Sequence, residues 1–253
     1  MKVSIITDVL NAKDTIENAL ESVLTQTYQD IEYLVIDGKS TDGTMEIINK
    51  YRGKITRIVS ELDSNHFDAM NKGITLATGD IIAFLHADDV FASKGVVEKV
   101  MDVFIETNVD CVWGDLVYVD NKNPEKVVRY WRSCSCKDIL FLYGWMPPHP
   151  TLFVKRNIYK KYGYFNTHMP ISADYELMLR FLHKHKIAGR YIPEILVRMR
   201  TGGLSNKSLR NIAQKSIEDY RAWKANDFEG GLLTIAMKNI QKIPQFILKG
   251  GLK

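Results

Sequence analysis

A single α/β domain built on a mostly parallel, buried sheet is predicted by three features of the 253-residue sequence. Short apolar stretches alternate with helix-period stretches through the first half, the pattern of strands joined by crossover helices. Residues 81–85 (Ile-Ile-Ala-Phe-Leu) are apolar throughout, as a strand covered on both faces must be. Polar clusters rich in Asp, Ser and Gly follow the strands, where ligands bind in open parallel sheets.

Taken in order, residues 3–7 form the first strand. Ile16, Leu20 and Val23 then recur on one helical face. Residues 31–36 are a second strand, ending in the Gly/Ser/Asp turn 37–44, with a helix at 45–51. A strand at 56–60, a helix at 68–77, the strand 81–85, a helix at 96–104 and a strand at 111–119 follow. The second half is less regular. Residues 144–150 (Gly-Trp-Met-Pro-Pro-His-Pro) are a rigid loop before a strand at 151–155. Residues 174–183 and 207–224 read as helices, and 191–199 as extended around Pro193. The tail 232–248 is apolar with interspersed lysines. We expect a catalytic domain at 1–205, divided near 120, and a helical extension at 206–253.

A composition of 45% apolar and 25% charged residues excludes fibrous and disordered chains. The net charge of +4 conceals an asymmetry: residues 1–110 carry −9 and residues 111–253 carry +13. Such a split points to charged partners. Cys111, Cys134 and Cys136 lack zinc or disulfide spacing and read as reduced thiols of a cytosolic protein. No apolar run reaches the ~18–20 residues of a membrane span.

The dinucleotide glycine fingerprint and the Walker loop are both absent. The strand ends instead offer clusters at 7–11, 37–44 and 86–89, and acidic strand ends suit a hard cation holding a phosphate. Asp88 and Asp89 can ligate Mg²⁺ or Mn²⁺ and accept from a sugar hydroxyl, or simply cap the next helix. Asp37 can form a turn or accept the N3–H of a uracil. Asp174 can favour a helix dipole or serve as general base. His149, between two prolines, is structural unless an acceptor lies there.

These residues together resemble the inverting glycosyltransferases of family 2. The matching stretches are Ser-Val-Leu-Thr-Gln-Thr-Tyr at 22–28, Val-Ile-Asp-Gly-Lys-Ser-Thr-Asp-Gly-Thr at 35–44, Asp-Ala-Met-Asn-Lys-Gly-Ile at 68–74 and Ala-Thr-Gly-Asp-Ile-Ile at 77–82. Asp88-Asp89 follows in register, and 145–151 with 172–180 look like a bacterial subgroup that builds surface polysaccharides. The resemblance implies the GT-A fold and inverting transfer from a nucleotide-diphosphate sugar, UDP-linked, to a saccharide or lipid-diphosphate-linked acceptor. It maps the base contact to Asp37, the metal to Asp88 and His86, and the catalytic base to Asp174. Thr7, Asn11, Asp68, Asn71 and Asp89 join the donor side with Arg198 and Arg200, and Trp145 and His149 the acceptor side.

This chain also departs from the family. Leu10 stands where an aromatic residue stacks on the base, Lys39 replaces a commoner Gly, and His66 and Phe67 flank the sugar pocket. His86 replaces the first acid of Asp-x-Asp, which favours Mn²⁺ over Mg²⁺ if it ligates. Arg200 occupies the place of a late metal-binding His, so we expect it to partner the diphosphate and weaken metal dependence. A scaffold subunit that binds sugar nucleotides without turnover is the alternative reading. No nucleic-acid motif is visible. The lysine-bearing tail at 229–253 suits either an anionic membrane surface, placing the protein at the inner face of the plasma membrane, or packing on the domain or on a second copy.

Overall fold

The structure, a computed structural model, describes residues 1–202 and 209–228 together with Thr234, Met237 and Lys238. The chain opens with β1 (Val3–Val9), α1 (Ile16–Leu24), β2 (Ile31–Asp37), α2 (Thr44–Lys50), β3 (Arg57–Ser60), α3 (His66–Leu76) and β4 (Ile81–Phe84). These four strands lie parallel in the order β3-β2-β1-β4. Their apolar residues alternate between two cores, as the two-residue period of a strand requires. Ile5, Val35 and Ala83 pack on one face, and Ile6, Leu34 and Phe84 on the other. Helix α1 buries Ile16, Ala19, Leu20 and Val23, the face its spacing predicts.

The remaining elements are β5 (Val90–Phe91), α4 (Val96–Thr107), β6 (Cys111–Val119), β7 (Val127–Trp131), α5 (Asp138–Leu142), β8 (Phe153–Lys155), α6 (Arg156–Tyr162), α7 (Ala173–Met178), β9 (Gly189–Arg200) and α8 (Leu209–Ala225). Here the parallel character gives way to a mixed sheet. Strand β8 runs antiparallel to both β4 and β6, β9 runs parallel to β6, and β5 and β7 add antiparallel edges. The helix expected over 174–183 is two pieces, α7 and a wider π turn at Leu179–Lys184. Beside that junction the Arg180 guanidinium is drawn to the carbonyls of Tyr162 and Tyr164, each 2.6 Å away. No helix among the described residues is long and apolar enough to cross a membrane. Most of the lysine-bearing tail lies outside the described residues.

Strands β6 and β9 are pinned together at Gly114, where their register shifts. A Cβ there would stand 2.5 Å from Leu196 Cγ and 2.8 Å from the Glu194 carbonyl oxygen. Gly114→Ala is expected to destabilise the protein by about 1–3 kcal/mol in chemical denaturation, the usual cost of overpacking a filled core.

Candidate active site

β1 and β4 are neighbours, but beyond β1 the sheet continues through β2 and beyond β4 through β8. A crevice forms where strand order reverses in this way. Two residues just past paired positions Ile6 and Phe84 project there. His86 Nδ1 donates to Asp8 Oδ1 at 2.7 Å. Burial alone would lower the His86 imidazole, but the Asp8 charge and hydrogen bond reverse this and push it up to about 10. Burial likewise opposes the Asp8 charge, and the His86 imidazolium outweighs it, holding Asp8 below the usual carboxylate value. Asp8 was not singled out in the sequence, although it directly follows the first strand's apolar run.

The turn after His86 closes with the Asp89 N–H donating to the His86 carbonyl at 3.0 Å. Helix α4 begins only at Val96, with Gly95 as its cap residue, so Asp88 and Asp89 do not cap it. Asp89 is fully buried; Oδ1 accepts the Arg200 N–H at 3.3 Å, and Oδ2 has no partner among the described residues. Burial and the neighbouring Asp88 push its carboxyl well above the ordinary range. Asp88 is half-buried.

Only part of this set fits a divalent cation. His86 pairs with Asp8 through Nδ1, and the charged ring that this pair favours has no lone pair to give, whereas the neutral ring with Nδ1–H on Asp8 would offer Nε2 to a cation. No group of three or more His, Cys, Asp or Glu side chains among the described residues makes a metal cage. A hard cation that takes one carboxylate and completes its shell with phosphate oxygens and water fits Asp88.

At the end of β2, the fully buried Asp37 accepts from the Ser40 N–H at 3.1 Å and from the Ser60 hydroxyl at 2.5 Å. Lys39, where Gly is commoner, holds φ at +69°. Asn11 Oδ1 accepts the Thr41 N–H at 2.9 Å and its own N–H donates to Ser40 Oγ at 2.8 Å, joining the two strand-end loops. Leu10 stands 61% exposed beside Gly38, an uncovered apolar side chain at the base end. Thr7 is placed differently from the expectation. Strand alternation turns it into the core, where its hydroxyl meets Tyr33 at 3.0 Å.

Several other expected donor-side residues serve as braces. Asp68 accepts the Ser64 N–H at 3.0 Å, and its own N–H is capped by Asn65. The Asn71 amide bonds both the carbonyl and the N–H of Phe165, at 2.9 and 3.0 Å. The Arg198 guanidinium donates to the Pro124 carbonyl at 2.7 Å, and that of Arg200 to the Asn121 carbonyl at 2.8 Å. Both arginines are thus tied by one guanidinium nitrogen to the loop between β6 and β7. Trp145 is buried, edge-on to Trp113 and Phe141. His149 is buried in a ring stack between Phe84 and His86, and burial with the nearby His86 charge lowers it to about 3, so it is neutral.

Asp174 lies in the first turn of α7, and its Oδ1 accepts the Tyr175 N–H at 2.7 Å. Burial raises its carboxyl, and Lys215 opposes this only in part. His66 at the start of α3 feels the charges of Asp8, His86 and Asp174, and Tyr118 on β6 those of Asp89 and Asp174. Asp174 and the strand-end groups Asp8, His86 and Asp89 thus act electrostatically on the same two residues, His66 and Tyr118. Helix α7 is held by α8. Glu218 Oε2 accepts the N–H groups of Ile171 and Ser172, Trp223 donates to the Tyr175 hydroxyl, and Asn226 donates to Glu176. None of Glu218, Trp223 and Asn226, the last just past α8, was legible as a support of α7, because their partners lie about 46–50 positions away.

Residues 4–173 match the family described as Glycosyl transferase family 2. A PGL/p-HBAD biosynthesis glycosyltransferase of Mycobacterium bovis is 30% identical over 207 residues, covering 80% of this chain and 78% of that protein. Among solved structures, Staphylococcus aureus TarS residues 1–349 in complex with UDP superposes with a TM-score of 0.66 at 19% identity, covering 98% of this chain and 71% of that one. Against a longer TarS chain, this protein spans 42% of the length. The mannosyltransferase PcManGT of Pyrobaculum calidifontis, in complex with GDP-Man and Mn²⁺, superposes with a TM-score of 0.65 at 17% identity, over 95% of this chain and 69% of that one. These likenesses carry the fold, which is of the GT-A kind. With its strand-end acids in a switch-point crevice and its family match spanning most of the fold, the chain belongs to glycosyl transferase family 2.

Proposed function

We propose that the protein transfers a sugar from a nucleotide-diphosphate donor, UDP-linked, to a hydroxyl of a saccharide or lipid-diphosphate-linked acceptor, with inversion. What supports this reading is the family match over residues 4–173 together with Asp37 and Asp88 at the strand ends beside the point where strand order reverses. The UDP complex of TarS supports the choice of nucleotide. Residues 1–120 hold the donor and 121–205 the acceptor.

Asp37 and Asn11 shape the nucleotide end, and Asp88 would hold a divalent cation. When bound, that cation supplies positive charge to the leaving diphosphate. Asp174 accepts the proton of the acceptor hydroxyl as its oxygen attacks the anomeric carbon. The bond from that carbon to the diphosphate oxygen breaks, and its electron pair leaves with the nucleotide. One displacement of this kind inverts the centre. The His86 imidazolium, fixed by Asp8, adds a preorganised positive charge at the crevice.

Melting in the presence of UDP and Mn²⁺ tests the donor site. At about 100 times Kd a ligand adds ~2.7 kcal/mol of stability, read as a rise in Tm. Asp37→Asn keeps the shape but weakens a charge-assisted contact, and is expected to cost about 10–100-fold in UDP affinity. A screen of UDP-Gal, UDP-Glc, UDP-GlcNAc, GDP-Man and dTDP-Rha for nucleotide release then identifies the donor. Absence of both stabilisation and release with every donor would overturn the reading.

A further inference from the structure

The C-terminal segment carries into the protein one charged side chain that the mechanism above does not use. Lys238 is only 9% exposed, and its ammonium lies 2.7 Å from Asp219 Oδ2 on α8 and 3.3 Å from the centre of the Tyr175 ring on α7. Tyr175 directly follows Asp174. Asp219 is itself buried, and its Oδ1 has no partner among the described residues. The 144–150 loop is built against the same lysine. Gly144 holds φ at +79°, and a Cβ there would stand 2.4 Å from Lys238 Cβ.

A methionine would cover the Tyr175 ring with no charge to desolvate, and replacing a buried ion pair by apolar groups is often neutral or stabilising. The buried ammonium therefore has its best rationale in the field it creates. Asp174 directly precedes the ring that Lys238 covers, and although burial pushes the ammonium down, its pairing with Asp219 opposes this. The charged and titratable groups acting with Asp174 are Lys215 and Asp219 from α8, Lys238 from the C-terminal segment, His66 from α3 and Tyr118 from β6. Lys215 and Lys238 favour the ionised carboxylate, whereas Asp219 disfavours it.

We propose that Lys238 is a positioning residue for sugar transfer: set over Tyr175 and paired with Asp219, it ties the C-terminal segment to α7 and lends positive charge to Asp174. This rests on the reading of Asp174 as the general base. The C-terminal segment is then part of the base end of the site.

The pH dependence of kcat/KM for nucleotide release, measured on the full chain, tests this. Lys238→Met is expected to move the acid limb to higher pH by about 0.5–1 unit and to lower kcat about tenfold, with donor KM unchanged within about twofold. Lys238→Arg restores both. Asp219→Asn moves the limb the other way, to lower pH, and carries the same test if Lys238→Met does not fold. A packing role alone would leave the limb in place. An unmoved limb in Lys238→Met, or a shift of the same sign in Asp219→Asn, overturns the proposal. Full turnover in Asp174→Asn removes the general base and this proposal with it. An inactive Asp174→Asn beside an unmoved Lys238→Met limb overturns the proposal alone.

Discussion

Asp174→Asn is expected to lower nucleotide release by about 10²–10⁴-fold, the range over which a positioned general base accelerates proton transfer. The amide matches the carboxylate in size and can still accept the Tyr175 N–H, which Asp174 Oδ1 accepts at 2.7 Å, so α7 keeps its place. What it loses is the capacity to take a proton. Stabilisation by UDP, proposed to involve Asp37 at the end of β2, is expected to stay within about twofold of the parent in affinity, since separated sites act independently. The pH profile gives a second reading. Burial raises the Asp174 carboxyl above its ordinary value, so in the parent protein the base is lost as pH falls through that raised value. Activity therefore declines on the acid side earlier than an ordinary carboxylate would require. In Asp174→Asn the residual rate should lack this limb. A variant with parental kcat and an unchanged limb would remove Asp174 from the mechanism.

Local residues explain which features were legible in sequence. Strands β1, β2 and β4 are apolar runs bounded by polar turns, and their burial on both faces follows from that pattern alone. Asp37 and Asp88 could be placed at strand ends for the same reason. The mixed half of the sheet depends on pairings between distant segments, such as Cys111 with Gly189, for which no periodicity exists. The strand-end rule also says nothing about which way a side chain turns. Thr7 and Asp8 are adjacent, yet alternation buries one against Tyr33 and sends the other to His86. The pairing of His86 with Asp8 was not legible, because the two lie 78 positions apart. The bonds of Asn71 and Arg198 to the carbonyls of Phe165 and Pro124 were not legible either, because only the folded chain brings those carbonyls to them.

Glu218→Ala is the substitution outside the cleft with the largest expected effect on stability and turnover together. The side chain is 2% exposed, and Oε2 accepts two backbone N–H groups, from Ile171 at 2.9 Å and Ser172 at 2.8 Å. Those groups precede α7 and have no helical partner of their own, since the first N–H groups of a helix lack intrahelical acceptors. Truncation to Ala leaves both donors without the carboxylate, and an unsatisfied buried donor costs about 1–3 kcal/mol. A loss of about 2–4 kcal/mol in chemical denaturation is expected. Glu218→Gln retains one acceptor oxygen and should fall between the parent and Ala. Function should follow the same order, because Ser172 is two residues from Asp174 and a displacement of about 1 Å at a reacting group can cost 10²-fold. UDP affinity, which the proposal places with β1 and β2, should not change. If Glu218→Ala matched the parent in kcat while melting lower, α8 would be a stabilising cover only. A joint fall in stability and kcat at constant UDP affinity would make α8 the support that aims the base.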